Sequence, residues 1–83
     1  MTRSPMLVRM KEQGTYELRA AVGRRIREIR ESQGLSLRKL GLMIGMDYKH
    51  LFRIEHGQTS PTLDALGRIA GGLDVSVRDL LDD

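Results

Sequence analysis

The sequence predicts an all-α fold of five short helices packed as one compact domain, and three observations carry that prediction. Apolar residues recur at spacings of three and four, capping residues and glycines punctuate the chain at short intervals, and no stretch alternates apolar and polar residues with period two. Eighty-three residues suffice for a single core.

Residues 1–14 lack a clear period and contain Pro5 and Gly14, so they read as a flexible basic arm carrying Arg3, Arg9 and Lys11; residues 15–83 form the domain. The run Met6 to Met10 is alternatively a short strand or helix used for dimerisation. Thr15 can cap a first helix whose stripe is Leu18, Val22, Ile26 and Ile29, with Gly34 as its left-handed stop. Glu28 and Glu31 lie at spacings that pair with the helix's own arginines. Ser36 caps a second helix with Leu37, Leu40, Met43 and Ile44 apolar, and Gly45 ends it. Asp47 caps a third, Tyr48 to about His56, burying Leu51 and Ile54 and stopping at Gly57. Ser60 before Pro61 signals the start of a fourth, with Leu63, Leu66, Ile69, Ala70 and Leu73 on one stripe. Gly67, Gly71 and Gly72 each cost about 0.5–1 kcal/mol in a helix interior, so its last turn is expected to fray or end early. Ser76 and Asp79 have the spacing of a capping box for a fifth helix reaching Leu80 and Leu81. The methionines read as core fillers.

Charge is segregated along the chain. Residues 1–57 hold twelve Lys and Arg against six acids, a net +6, whereas residues 58–83 hold two against five, a net −3. A basic front with an acidic tail suits a polyanion on one face, although a solvated helix face gives the same pattern. The start has no apolar core of a secretory signal, no run approaches a membrane span, and there is no cysteine. Together these point to a cytoplasmic protein without disulfides or thiolate metal sites. His50 and His56 lie six apart with no carboxylate arranged as a third ligand, so no metal is expected. No nucleophile–base arrangement, carboxylate pair or phosphate-binding glycine loop is present, so neither catalysis nor a cofactor is expected.

The most informative stretch surrounds Gly45. Two short helices that cross steeply need a small residue where they approach and a turn residue tolerant of positive φ; Gly41 and Gly45 supply these, with Leu40, Ile44, Met46, Leu51 and Ile54 as the apolar set that holds both helices down. Ser36, Gly45, Arg53-Ile54-Glu55-His56-Gly57, Ser60-Pro61, Val75-Ser76 and Leu80-Leu81 fall in order and in register. On these pieces residues 35–81 resemble the phage-repressor and Cro type (XRE-like) helix-turn-helix family without insertion or deletion.

That resemblance implies a compact five-helix, lambda-repressor-like domain of a bacterial or phage transcription regulator. It would bind double-stranded DNA as a homodimer with helix 3 in the major groove. On the outward face of helix 3 the base-reading candidates are Asp47, Tyr48, Lys49, Phe52 and Arg53. Lys49 and Arg53 can donate to guanine, Tyr48 and Phe52 can meet thymine methyls, and Asp47 is better suited to capping. Phe52 could instead pack on the core edge or a partner subunit. The phosphate-contacting candidates are Ser36, Leu37, Arg38 and Lys39 at the start of helix 2, and Gln58, Thr59 and Ser60 in the following loop. Arg38 and Lys39 oppose the helix dipole there, a conflict that a phosphate would relieve. Leu37 stands where the family often has a phosphate-contacting Gln, so a side-chain contact is not expected from it.

Arg30 and Glu55 match the family's buried ion pair between helices 1 and 3. The dimer surface is assigned first to Val75, Val77, Leu80 and Leu81, and second to the arm. No small-molecule ligand or membrane is expected, and a sensor domain has no room beside the DNA-binding fold. A toxin or other protein partner remains open, since an antitoxin or a purely protein-binding adaptor of the same fold would share the sequence pattern. A restriction-modification controller is the other setting that fits.

Overall fold

The computed structural model describes the backbone of residues 5–81 and the side chains of residues 16–81. Five helices follow one another: α1 (Pro5–Ser32), α2 (Leu37–Ile44), α3 (Tyr48–Glu55), α4 (Leu63–Leu73) and α5 (Val77–Leu81). No strand occurs among the described residues.

The first helix begins ten residues before the expected Thr15 cap, so Pro5–Gly14, read first as a flexible arm with a short strand or helix over Met6–Met10 as the alternative, is helical. Pro5 is suited to a first helical turn, the residues after it are mostly good helix formers, and one glycine at position 14 costs only about 1 kcal/mol. Met1–Ser4, with Arg3, lie outside the described residues, as do the side chains of Arg9 and Lys11. At the other end Gly34 takes φ 70° and Leu35 N–H reaches back to the Arg30 carbonyl at 3.1 Å, the double reversal that closes a helix.

Two of the later boundaries also differ from expectation. Helix α4 starts at Leu63, not at Pro61, because Thr62 is the cap: its backbone is extended (φ −72°, ψ 164°) and its hydroxyl accepts the Ala65 N–H at 3.0 Å. Its end does not stop short. The helix runs through Gly71 and Gly72 to Leu73 and is closed by Asp74 at φ 58°, the one positive-φ residue other than glycine among those described. Packing outweighs propensity there, since a Cβ on Gly72 would meet Ile44 Cγ2 at 2.5 Å and Leu40 Cδ1 at 3.0 Å. The glycine is what lets α2 lie against α4. Gln33 adds a tertiary cap by donating its side-chain amide to the Leu73 carbonyl at 2.7 Å. For α5 the capping box forms as expected: Ser76 N–H donates to the Asp79 carboxylate at 2.9 Å and Asp79 N–H to the Ser76 hydroxyl at 3.2 Å.

The core joins all five helices through Val22 and Ile26 of α1, Leu40 of α2, Leu51 and Ile54 of α3, Leu66, Ile69, Ala70 and Leu73 of α4, and Leu80 of α5. Ile29, Leu35, Leu37, Ile44, Met46, Val75 and Val77 pack around it. The apolar stripes are shorter than the sequence suggests: Leu18, Met43 and Leu63 are 50%, 52% and 81% exposed. Met43 is therefore not a core filler. Leu63 lies in the first turn of α4, above the level at which the other helices reach it.

Where α1 crosses the end of α3 the backbones nearly touch. A Cβ on Gly23 would collide with the Ile54 carbonyl and sit 2.6 Å from that of Glu55. Gly67, on the exposed side of α4, has nothing within 4 Å. Gly23→Ala is therefore expected to destabilise the domain by about 1–3 kcal/mol by forcing the helices apart, and Gly67→Ala to stabilise it by about 0.5–1 kcal/mol. Urea unfolding of both variants checks the pair, and equal effects at the two sites would contradict the packing described. The hydrogen bonds from Ser76, backbone first and hydroxyl second, hold the Asp79 carboxyl below its ordinary value of 3.8. A depressed folded-state value means that this cap stabilises fully above that value and fades as pH falls through and below it. Asp79→Asn should flatten that part of the acid-unfolding curve while leaving the neutral-pH slope unchanged.

Candidate nucleic-acid interface

The interface is built on the two helices flanking Gly45. Ser36 accepts the Lys39 N–H at 3.0 Å and so opens α2; Asp47 accepts the Lys49 N–H at 2.8 Å and so opens α3. Between them Gly45 turns the chain at φ 68°, with Met46 N–H donating to the Gly41 carbonyl at 2.9 Å. The crossing is close enough that a Cβ on Gly41 would lie 2.5 Å from the Met46 carbonyl. Both glycines meet the requirement read from the sequence.

One part of this turn had no local signal. Arg68, on α4, donates from its guanidinium to the carbonyls of Ile44 (2.5 Å) and Gly45 (2.6 Å), which are the free acceptors at the C-terminal end of α2. A cation there satisfies those groups and complements the helix dipole. The residues are more than twenty positions apart, so only the docking of α4 on α2 brings them together.

Helix α3 is anchored from the opposite side. The Glu55 carboxylate takes two hydrogen bonds from Arg30, at 2.7 and 3.0 Å, and Arg30 also donates to the Leu35 carbonyl at 2.6 Å. Both residues are under 10% exposed. Hydrogen bonding to Glu55 raises the Arg30 guanidinium above its ordinary value, against the opposing effect of burial. The ion pair expected from the sequence is therefore present, and it ties the last turn of α3 to α1.

With its inner side on the core, α3 turns Tyr48, Lys49, Phe52 and Arg53 outward. Together with Gln58 they line a groove of about 340 Å³. Lys49 and Arg53 are exposed and make no ion pair among the described residues. Phe52 is 42% exposed and stacks on His56, ring centroids 4.0 Å apart. It packs on a neighbour along its own helix and not in the core. Asp47 has one carboxylate oxygen committed to the cap, which makes it the weakest of the five base-reading candidates. Tyr48 is half-buried, with Arg38 of α2 stacked over its ring and hydrogen-bonded to its hydroxyl.

The phosphate-contacting candidates divide. Arg38, Lys39, Gln58 and Ser60 are exposed and Thr59 half-buried, but the Leu37 side chain packs against the core, so only its backbone N–H is on offer. The dimer-surface assignment needs correction too. Leu80 is 1% exposed, inside the core, and Val75 and Val77 pack against it, because the short α5 must face inward to close the end of the domain. Leu81 alone of the four is largely exposed, beside a small groove of about 140 Å³ lined with Leu18, Arg19, Val22, Ser60, Pro61 and Leu66. Among the described residues no group of three or more His, Asp or Glu side chains could hold a metal ion, and no helix is long and apolar enough to cross a membrane.

Two helices meeting at a glycine turn, the second presenting a basic outer face, define a helix-turn-helix domain. The sequence profile of the family described as Helix-turn-helix (HTH_3) matches residues 26–80, and the chain belongs to that family. The transcriptional regulator SinR of Bacillus subtilis (strain 168) is 38% identical over 63 residues, which are 75% of this chain and 57% of SinR. The chain thus spans little more than half the length of this relative. Among solved structures, the restriction-modification controller protein C.AhdI from Aeromonas hydrophila superposes with a TM-score of 0.76 at 32% identity, over 78% of this chain and 98% of that one. SinR in complex with DNA gives 0.69 at 39% identity, over 74% and 98%. SinR is a transcriptional regulator and C.AhdI a controller protein.

Removing the Glu55 carboxylate would leave Arg30 buried and unpaired. Glu55→Ala is expected to lower stability by about 3–5 kcal/mol, measured by urea unfolding at neutral pH. A loss under about 1 kcal/mol, the size of an exposed pair, would show that α3 is not held this way.

Proposed function

We propose that the chain is a sequence-specific regulator that binds double-stranded DNA as a homodimer, with α3 in the major groove and the start of α2 against the phosphate backbone. The observation that carries this reading is the outer face of α3, where Lys49 and Arg53 stand exposed beside Tyr48 and Phe52, without acidic partners among the described residues. An unpaired basic helix face on a fold shared with a protein solved on DNA is suited to base edges, and Arg53 can reach guanine O6 and N7 together. Lys39 and the free N–H groups of the first turn of α2 are suited to a phosphate, which also relieves the unfavourable placement of two cations at a helix N-terminus. The loop Gln58–Ser60 supplies a second backbone contact.

Dimerisation is part of the proposal because one short helix grips few base pairs. The exposed Leu81 beside the groove of Leu18, Pro61 and Leu66 is the surface assigned to it in place of Leu80. Two copies meeting through this patch would form a twofold interface. The likeness to C.AhdI keeps a restriction-modification controller among the settings that fit, beside a regulator of the SinR kind.

Selection from random duplex DNA is expected to return a motif of two half-sites roughly 34–36 Å apart, with affinity falling as salt rises. Arg53→Ala should relax the preference at one base pair by about 1–3 kcal/mol. Lys39→Ala should weaken all sequences alike and reduce the salt slope by about one. Leu81→Asp should leave folding intact and abolish paired occupancy. Recovery of single half-sites by the wild-type chain would refute the dimer, and recovery of no motif would refute sequence-specific binding.

A further inference from the structure

We infer that Arg38 is a specificity-determining positioning residue that acts through Tyr48, aiming the tyrosine hydroxyl as a hydrogen-bond donor at an acceptor on a base edge. The inference rests on the DNA-reading role proposed for α3 and assigns one of its contacts.

Tyr48 is the first residue of α3, immediately after the Asp47 cap, and lines two grooves at once. On one side lie Lys49, Phe52, Arg53 and Gln58; on the other lie Arg38, Leu42 and the turn around Gly45. Its ring is the wall between the base-reading surface and α2. A half-buried tyrosine at the end of a helix has rotamer freedom to lose, and a single contact would not fix both its ring plane and its hydroxyl.

Arg38 makes two contacts. Its guanidinium carbon lies 4.3 Å from the Tyr48 ring centroid, which sets the plane, and its Nη2 donates to the hydroxyl oxygen at 3.1 Å. A guanidinium is suited to this double task because it is flat enough to stack while its N–H groups reach past the ring edge; an ammonium can do only one at a time. The hydroxyl has one proton and two lone pairs. With a lone pair occupied by Arg38, which has no acceptor to offer in return, the hydroxyl proton must point elsewhere. Tyr48 thus becomes a directed donor facing purine N7, guanine O6 or thymine O4, all of which are major-groove acceptors. Arg38 and Lys39, adjacent on α2 and alike in charge, consequently have different tasks. Lys39, which has no side-chain partner among the described residues, contributes charge alone.

The test uses the full chain with the duplex that the wild type selects, plus its single-base variants, read by fluorescence anisotropy. Tyr48→Phe should lose roughly two- to tenfold discrimination at one base pair, the size of one hydrogen bond. Arg38→Ala should lose it at the same base pair and to the same extent, and Arg38→Ala/Tyr48→Phe should lose no more than either alone, because the two act as one unit. Arg38→Lys should keep the salt slope without restoring discrimination, and Lys39→Ala should retain the wild-type base preference. Thermal midpoints of the Arg38 variants should match the wild type, since the side chain is exposed. The inference is overturned by an Arg38→Ala variant whose base preference is unchanged, by losses that add in the double variant, or by a uniform loss in Tyr48→Phe, which would assign the hydroxyl to a phosphate. A wild-type chain that selects no motif would remove the parent reading as well, which distinguishes the two failures.

Discussion

The Glu55 carboxylate, shut away from water and held by two hydrogen bonds from Arg30, is the interaction on which the arrangement of this domain depends. It lies at the last turn of α3, and α3 is only eight residues long. So short a helix has little stability of its own. Its direction must be imposed at both ends. One end is set by the Gly45 turn and the Asp47 cap, the other by α1, which carries Arg30 and comes so near at Gly23 that no side chain fits between the backbones. An ion pair buried this far would cost more than it returns if either member stood alone. Because each charge needs the other, only the docked position of α3 satisfies both. The outward tilt of Lys49 and Arg53 follows from that constraint.

The second feature of the fold is the closure of helix ends by distant side chains. Arg68 caps the C-terminal carbonyls of α2, Gln33 the end of α4, and Arg25 donates to the Asp79 carbonyl of α5 at 3.1 Å. Helices of five to eleven residues leave a large share of their backbone acceptors unpaired. Side chains from neighbouring helices satisfy several of them, so each cap is also a tertiary bond. Arginines that the sequence presents as one basic population therefore have several tasks. Arg25, Arg30 and Arg68 hold the fold, Arg27 pairs with Glu31 on the surface at 3.3 Å, and Arg38 engages Tyr48. Net charge overstates how many cations are free for a polyanion.

Much of the fold was legible because helix-turn-helix chemistry is local. A turn between two short helices requires Gly45, a crossing requires Gly41, and caps require Ser36 and Asp47; each is a property of a residue and its neighbours within seven positions. Glu55 and its partner were legible only through the family pattern. The boundaries where expectation and structure differ have a common origin. Ser60-Pro61 and Thr15 carry the stronger local signals, yet Thr62 caps α4, α1 starts at Pro5, and packing carries α4 through glycines whose intrinsic cost predicts an early end. Propensity is local, and tertiary context overrides it at each of these places. The exposed Leu18, Met43 and Leu63 show the same limit for burial, since periodicity identifies a face but not how far along it the neighbouring helices extend.

By itself the sequence determined the fold class, the five helices, the glycine turn and the residues that face outward on α3, because those depend on backbone geometry and helical spacing. Tertiary structure alone decided that Arg25 and Arg68 are committed to the fold, that Leu80 is core while Leu81 is surface, and that Arg38 belongs to Tyr48. Those are questions of what lies opposite a side chain across the domain. Pairs from 10 to 54 residues apart meet only when the apolar surfaces of all five helices are buried together.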